Sequence, residues 1–575
     1  MLRALGVGGA MALASQRKNL KAYQQAGGKL IVIDPRRTDL AEMADIHLQV
    51  RPGSDGALAY GLLNVIIAEK LYDADFVAQW CRGFEELSAA VRDFTPEKVA
   101  ALTWLEPEQI VAAARMFATN SPAHIPFGLG VAELGKATNA AVFGKTYLRA
   151  ITGNLDAHGG AKFADAPTST RYIEELHWDK LIDHPLRTRD SISADRWPIA
   201  SIKGLQTYRK AMEKVHPQGI GPTIYNIVVA PSAIPGAILD GDPYPVKAWI
   251  LQGGNPLVSL GDARRLHAAL MSDELELSVN MDHWMTPCSE LADYVLPATD
   301  GLERPLVNNM WGFADSFTAA KRIVEPSYER RDDYQLWREL GNRLGQQGYW
   351  PDSLEEWYDW VLEPTGTTHA ELAERDLPWL MATPQYKRYE TTGFATASGK
   401  VELSSDLLAS LGYAPIPACE EPAWSPESTP ELAGEFPLVL TTGNSLKWYY
   451  RSQHKHLAKM RKQHPYAQLT LHPDTAAELG VIEDQMVWVE TPMGRVRQVA
   501  KLDPAIHPRV VHADSHMWYP EREAEGDAHY GVWESNINAI LPDGEGFSDY
   551  AGDCYMRGLI CRIYPVGETQ VEAAE

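Results

Sequence analysis

The chain has 575 residues, 45% of them hydrophobic, and a formal net charge of -23 from 53 basic and 76 acidic side chains. Such a length holds several domains with sizeable cores, no apolar run approaches the ~20 residues of a membrane-spanning helix, and the acidity excludes bulk nucleic-acid binding while leaving room for an anionic ligand held by a few arginines. The five cysteines, Cys81, Cys288, Cys419, Cys554 and Cys561, show no CxxC spacing, which argues against a disulfide framework or a self-contained zinc or iron–sulfur site.

The opening "MLRALGVGGAMALAS" loosely mimics a signal peptide, but its basic region is a single arginine and glycines interrupt its apolar part. It reads better as a piece of a folded domain. Ser15 is placed to cap a helix through "QRKNLKAYQQA" that Gly27-Gly28 stop. Leu30 to Ile33 form a short continuous apolar strand, expected to be buried on both faces of a parallel sheet. After a turn at Pro52-Gly53, Ser54 or Asp55 caps an amphipathic helix with Leu58, Leu62, Leu63, Ile66 and Ile67 on its inner side. Ligands of such α/β sheets sit off the carboxyl ends of the strands, where Asp34, Arg36, Arg37 and Thr38 fall.

A second copy of this passage follows. With Asp34 aligned on Asp282, six of fifteen positions match without a gap: Asp34, Thr38, Glu42, Ala44, Asp45 and Leu48 fall on Asp282, Thr286, Glu290, Ala292, Asp293 and Leu296. The Gly-rich "LQGGNPLVS" ahead of the second copy has a faint counterpart in "ALGVGG" at the N-terminus. Glycines after an apolar strand let backbone N–H groups approach a phosphate. An acid at a strand end accepts from ribose hydroxyls or a guanine edge, and arginines offer forked donors to phosphate. The ordered repetition reads as two nucleotide-binding units in pseudo-symmetry.

Residues 331 to 410 read as mainly helical and Trp-rich, a packing feature, and "GYAPIPACEEPAWSPESTPELAGEFP" as a linker over the surface. Beyond it the texture turns to short strands, with a hairpin turn at Pro492-Met493-Gly494 and one short helix capped by Asp474 and ended by Gly480. Many short strands with little helix predict a closed barrel.

The order of "GGNPL", "DHWMTPCSELADYVLPATDGLER", "LVLTTGN", "LTLHPDTAAELGV" and "ESNINAI", with "LIVIDPRRTDLAEMADIHLQVRPGSDGAL" before them, resembles the molybdopterin oxidoreductases of the dimethyl-sulfoxide-reductase superfamily over nearly the whole chain. The resemblance implies an α/β fold of two pseudo-symmetric Rossmann-like dinucleotide-binding lobes and a C-terminal double-psi-type β-barrel. The expected boundaries are 1–170 for the first lobe, 171–410 for the second with its Trp-rich part, 411–435 for the linker and 436–575 for the barrel.

It also implies a bis(molybdopterin guanine dinucleotide) cofactor carrying molybdenum or tungsten. Asp34, Arg36, Gly53 and Asp55 would serve one nucleotide, with Gly128 and Gly130 nearer its pterin; Gly253, Asn255, Asp282 and Thr286 would serve the other. From the barrel, Thr442, Gly443, Arg451 and Asn538 carry over, with His454 and His516 as weaker candidates. Family members ligate an iron–sulfur cluster and the metal upstream of the "IDPRR" stretch. This chain begins close before it and alters the Gly-x-Asn-Pro loop to "ALGVGG", so an N-terminally incomplete member is expected, with no catalytic residue or metal ligand to name.

The expected activity is two-electron oxo- or hydride-type transfer on a small-molecule substrate, with a separate iron–sulfur subunit as electron partner. The alternatives are hydration or hydroxyl transfer without net redox change, and a non-catalytic cofactor-binding remnant. Substrate and location stay open.

Overall fold

The computed structural model describes residues 13–126, 128–163, 189–204, 206–207, 229–308, 316–376, 379–380, 385–394, 396–443, 446–524, 526 and 528–567. The "ALGVGG" loop and the boundary expected near residue 170 lie outside the described residues.

The first helix, Leu13–Gln25, already contains Ser15, so that residue does not cap it; Gly27, at φ +90°, follows its end. Strand β1 (Ile31–Ile33) pairs in parallel with β2 (Ile46–Leu48). The strand is less covered than its apolar run predicts: Ile33 is 44% exposed.

The helix Asp55–Ala68 was expected to be amphipathic, but it is buried nearly all round, with Gly56, Ala57, Ala59 and Gly61 inside as well as its leucines. Small residues explain this. A Cβ on Gly56 would stand 2.9 Å from the Ala140 Cβ, and one on Gly144 would stand 2.6 Å from the Ala59 Cβ, so the crossing helix Thr138–Ile151 comes closer than larger residues would allow. Ser54 holds the N-cap position, yet its hydroxyl donates to the Arg51 carbonyl instead of capping. Tyr389, Phe394 and Leu403 return to this same core.

The second sheet is parallel: β3 (Ala248–Gln252), β4 (Leu277–Asp282) and β5 (Tyr294–Pro297) in that order. Here the internal repeat becomes visible in the backbone. Ile31 pairs with Ile46 and Val279 with Tyr294, the same register shifted by the 248 positions between Asp34 and Asp282. The supporting bonds shift with it. The Asp45 carboxylate accepts from the Leu30 N–H at 2.9 Å, and that of Asp293 from the Ser278 N–H at 2.7 Å. Thr38 caps a short helix through the Ala41 N–H, and Thr286 caps another through the Ser289 N–H.

Six C-terminal strands close a barrel: β6 (Leu438–Thr441), β7 (Gln468–Leu471), β8 (Met486–Thr491), β9 (Gly494–Leu502), β10 (Val510–Ala513) and β11 (Arg557–Pro565), in the spatial order β6-β10-β7-β9-β8-β11. β6/β10 and β7/β9 are parallel and the other pairs antiparallel. β8 and β9 form the expected hairpin, Thr491 facing Gly494. Gly480 (φ +66°) ends the helix Pro473–Leu479, but His472 caps it, its ring accepting from the Asp474 N–H.

The Pro-rich stretch does more than run over the surface. Both Glu421 oxygens accept from the fully buried Arg51, at 2.8 and 2.9 Å, and the Tyr60 hydroxyl donates to the Pro417 carbonyl. Among the described residues no helix is long and apolar enough to cross a membrane.

Candidate functional site

β6 and β10 are parallel neighbours, so the connections leaving them emerge at one end of the barrel. The first brings Thr442, Gly443, Arg451 and His454, the second His516, and the Thr442 hydroxyl joins them by donating to the Ala513 carbonyl at 2.8 Å. Two links tie the sheets to the barrel here: Trp284, two residues after Asp282 closes β4, stacks on the His456 ring of the first connection, and Arg557 at the head of β11 acts on the charge of Asp34 after β1.

On the first-lobe side the organising group is Arg557, which sequence reasoning missed. Its guanidinium donates to Glu133 at 2.9 and 2.8 Å, across 424 positions of sequence. Gly443, at φ +79°, backs onto this pair: a Cβ there would stand 2.9 Å from a Glu133 oxygen. Arg557 also acts electrostatically on Asp34 and Asp55, whose carboxyls are pushed up chiefly by burial and pulled back by nearby donors and cations. Glu133 is raised by burial too, against the pull of Arg557 and Arg451. Lone polar residues in the apolar "GVAELG" and at the head of "RGLICRIYP" were the only signals for this pair.

Other expected residues have different partners. Arg36 forms an ion pair with Asp503 of the barrel, and backbone bonds from Arg37 to Ala505 and from His507 to Pro35 hold the same seam. Gly53, at φ +93°, is packed against Pro422 and Gly558. Gly128 and Gly130 are exposed, with open space where a Cβ would be. His516 is kept neutral, its pKa pushed down to about 3 by burial and by Arg451 and Lys455, while its Nδ1 lies 2.6 Å from the Ser515 hydroxyl.

The second-lobe side holds unmet hydrogen-bonding capacity. Asn255, 6% exposed, has no partner for either side-chain atom, although it occupies an N-cap position where its oxygen would ordinarily bond the backbone. Asn538 donates to the Ser259 carbonyl but leaves its own oxygen unpartnered; the Asn280 oxygen and the Thr299 hydroxyl are likewise orphaned. Gly253, at φ +59°, has nothing within 4 Å of where a Cβ would stand. Asp282 is raised by burial while its carboxylate accepts from the His283 and Trp284 N–H groups. Thr286 spends its hydroxyl on capping. Buried polar groups are nearly always paired, so the unpartnered amide of Asn255, two residues from the open Gly253, fits a polar, many-donor ligand such as a dinucleotide.

Among the described residues no group of three His, Cys, Asp or Glu side chains is placed to hold a metal ion. The unpartnered Asn255 amide and the open Gly253 suit the nucleotide part of a larger cofactor.

Comparison with known proteins agrees with this geometry. A family model described as Molybdopterin oxidoreductase matches residues 10–343, and one described as Molydopterin dinucleotide binding domain matches residues 438–554. Acetylene hydratase of Syntrophotalea acetylenica is 35% identical over 92% of this chain and 72% of its own length. The molybdopterin-containing subunit PhsA of thiosulfate reductase from Salmonella typhimurium is 27% identical over 85% of this chain; the match spans 64% of that relative, less than two thirds. The solved structure of acetylene hydratase from Pelobacter acetylenicus superposes with a TM-score of 0.88 at 33% identity, covering 96% of this chain and 76% of that one. With a barrel matched by the dinucleotide-binding model and α/β lobes matched by the oxidoreductase model, the chain belongs to the molybdopterin oxidoreductase family, within the dimethyl-sulfoxide-reductase superfamily.

Proposed function

We propose that the chain is the cofactor-holding part of a molybdopterin-dependent oxidoreductase, with each guanine nucleotide end of a bis(molybdopterin guanine dinucleotide) received by one of two Rossmann-like lobes and the barrel covering both pterins. The observation that carries this reading is the repeat of strand register and clasping carboxylates at a separation of 248 positions, one unit for each nucleotide. When bound, the molybdenum or tungsten centre supplies two-electron chemistry on a small-molecule substrate.

The chain's own residues hold and orient. Asp34 and Asp55, kept in reach of Arg557, serve the first nucleotide, with Gly128 and Gly130 toward its pterin. Asp282, Asn255 and Gly253 serve the second. Asn538, Thr442, Gly443, Arg451 and His516 reach in from the barrel. Arg36, Gly53 and Thr286 act through their backbones and through the seams they hold. The expected boundaries near 410 and 435 suit a barrel beginning at Leu438. An iron–sulfur electron carrier would be supplied by a partner, which suits the naming of the thiosulfate reductase relative as a subunit.

A second reading is hydration of a small unsaturated molecule, favoured by the 35% identity with acetylene hydratase over 92% of the chain. The test is to purify the full chain, measure molybdenum, tungsten, iron and released guanine nucleotide, and assay electron transfer to an artificial acceptor beside acetylene hydration. About two nucleotides per metal atom supports the cofactor reading; nucleotide without metal supports a binding remnant. Protein that binds no guanine nucleotide refutes the proposal.

A further inference from the structure

Residues 541–556, which lead into β11, form a strap that the site leaves unexplained. On the first lobe, the Phe547 carbonyl accepts from the Lys136 N–H at 3.1 Å, the Asn139 side chain from the Tyr550 N–H at 3.3 Å, and the Glu133 carbonyl from the Met556 N–H at 2.9 Å. A separate small core holds Trp197, Ala230 and Ala233. There the Trp197 indole donates to the Ser548 hydroxyl at 3.0 Å, and the Ser232 hydroxyl donates to Asp543 at 2.6 Å. Gly552, at φ +78°, seats the strap on this core, since a Cβ would stand 2.3 Å from that of Ala230. On the Pro-rich stretch, the Tyr413 ring stacks 4.2 Å from that of Tyr550, and its hydroxyl donates to the Tyr550 carbonyl. One strap thus joins three units to the barrel.

The strap carries charge of one sign. It holds Asp543, Glu545, Asp549 and Asp553 and no lysine or arginine. Asp549 closes its turn, one carboxyl oxygen accepting from the Ala551 N–H at 2.8 Å and the Asp553 N–H at 3.0 Å. Among the described residues Asp549 forms no ion pair. The charged and titratable groups facing it are Asp553 on the strap and Tyr413 on the Pro-rich stretch. Around them lie Asp543, Cys554, Asp262 and the first lobe's Glu133, with Asp553 acting on Asp543, Cys554 and Glu133. The nearby cations are engaged elsewhere. Arg557 pairs with Glu133, Arg451 acts on Glu133, Arg196 pairs with Asp242 and stands 4.0 Å from Glu545, and Lys136 meets the strap through its backbone.

A neutral carboxyl keeps one oxygen to accept both N–H groups and no longer repels Asp553, whereas an ionised one holds its charge partly out of water. Burial, with the Asp553 charge behind it, pushes the Asp549 carboxyl up to about 6 against the pull of the N–H bonds. A carboxyl raised in this way favours the closed strap in acid, and that stability is lost as pH rises through about 6.

We propose that the strap is a proton-operated latch: neutral Asp549 closes it on the first lobe, the Trp197 core and the Pro-rich stretch, and ionised Asp549 lets it lift from them. The strap runs straight into Arg557, so the latch bears on the seam that this residue closes with Glu133. The device is a property of the folded chain and does not rest on the nucleotide reading.

The test is hydrogen–deuterium exchange of the full chain, read by mass spectrometry on peptides covering 541–556 and corrected for the intrinsic pH dependence of exchange. From pH 5 to pH 8 the opening of the strap should increase about 10-fold, more than that of the hairpin β8–β9. Asp549→Asn keeps the accepting oxygen and carries no charge. It should stay as closed at pH 8 as the natural chain is at pH 5. Strap exchange that does not change with pH in the natural chain overturns the proposal, and so does a D549N chain that opens with pH as the natural one does. Should D549N fail to fold, Asp553→Asn decides. Without its like-charged neighbour Asp549 gives up its proton more readily, so the midpoint of opening should move to lower pH; an unmoved midpoint overturns the latch.

Discussion

Asn255→Leu should separate a ligand-facing residue from a structural one. Both side-chain atoms of Asn255 are buried and unpartnered, and an unsatisfied buried polar group costs about 1–3 kcal/mol. Leucine has nearly the same volume and no polar atoms to leave orphaned. The cofactor-free chain should therefore gain about 1–2 kcal/mol, which for a cooperative unit of 150–250 residues raises the melting temperature by about 2–8 °C. Binding should move the other way. Losing one or two hydrogen bonds to the ligand weakens it about 10- to 100-fold, read as guanine nucleotide retained per chain after dialysis. Asn255→Ala, which leaves a cavity, serves as the control for packing alone. A lowered melting temperature with full nucleotide retention in N255L would refute the reasoning, because the amide would then be holding the turn and not a ligand.

Further outcomes follow from the packing and charges. Truncating either member of the largely buried Glu133–Arg557 pair, as Glu133→Leu or Arg557→Met, should cost about 3 kcal/mol, and the double variant should cost less than the sum; urea denaturation of all four proteins checks it. Gly144→Ala should destabilise by about 2 kcal/mol although alanine favours helix, because its Cβ would stand 2.6 Å from that of Ala59. His516 stays neutral in the folded chain down to about pH 3, whereas unfolded histidine protonates near 6.5. Its share of stability is therefore lost as pH falls through that window, by up to about 1.4 kcal/mol per pH unit. His516→Asn should flatten the fall of melting temperature with acid.

What could be read from the sequence was local and periodic. The repeat was legible because its identities sit where backbone clasps are made, and the barrel because short strands and turn residues alternate. The helix Asp55–Ala68 was misjudged for a physical reason: apolar periodicity marks large side chains, whereas Gly56, Ala59 and Gly61 become core only when another helix approaches. The Glu133–Arg557 pair was invisible because it depends on segments brought together from far apart. Asp34, Asn255 and Asn538 could be named from motifs, but not the unpartnered side-chain oxygens of the two asparagines.

The repeat has a consequence for what its two copies can present to their surroundings. The matched residues Thr38/Thr286 and Asp45/Asp293 hold main chain, and the positions between the copies' strand-end acids and these caps differ: Pro35, Arg36 and Arg37 stand where the second copy has His283, Trp284 and Met285. One copy places arginines there, with Arg36 paired to Asp503 of the barrel; the other places an indole stacked 4.7 Å from the His456 ring. A shared frame thus carries unequal side chains at matched positions, so the two copies can present different surroundings without a change of architecture.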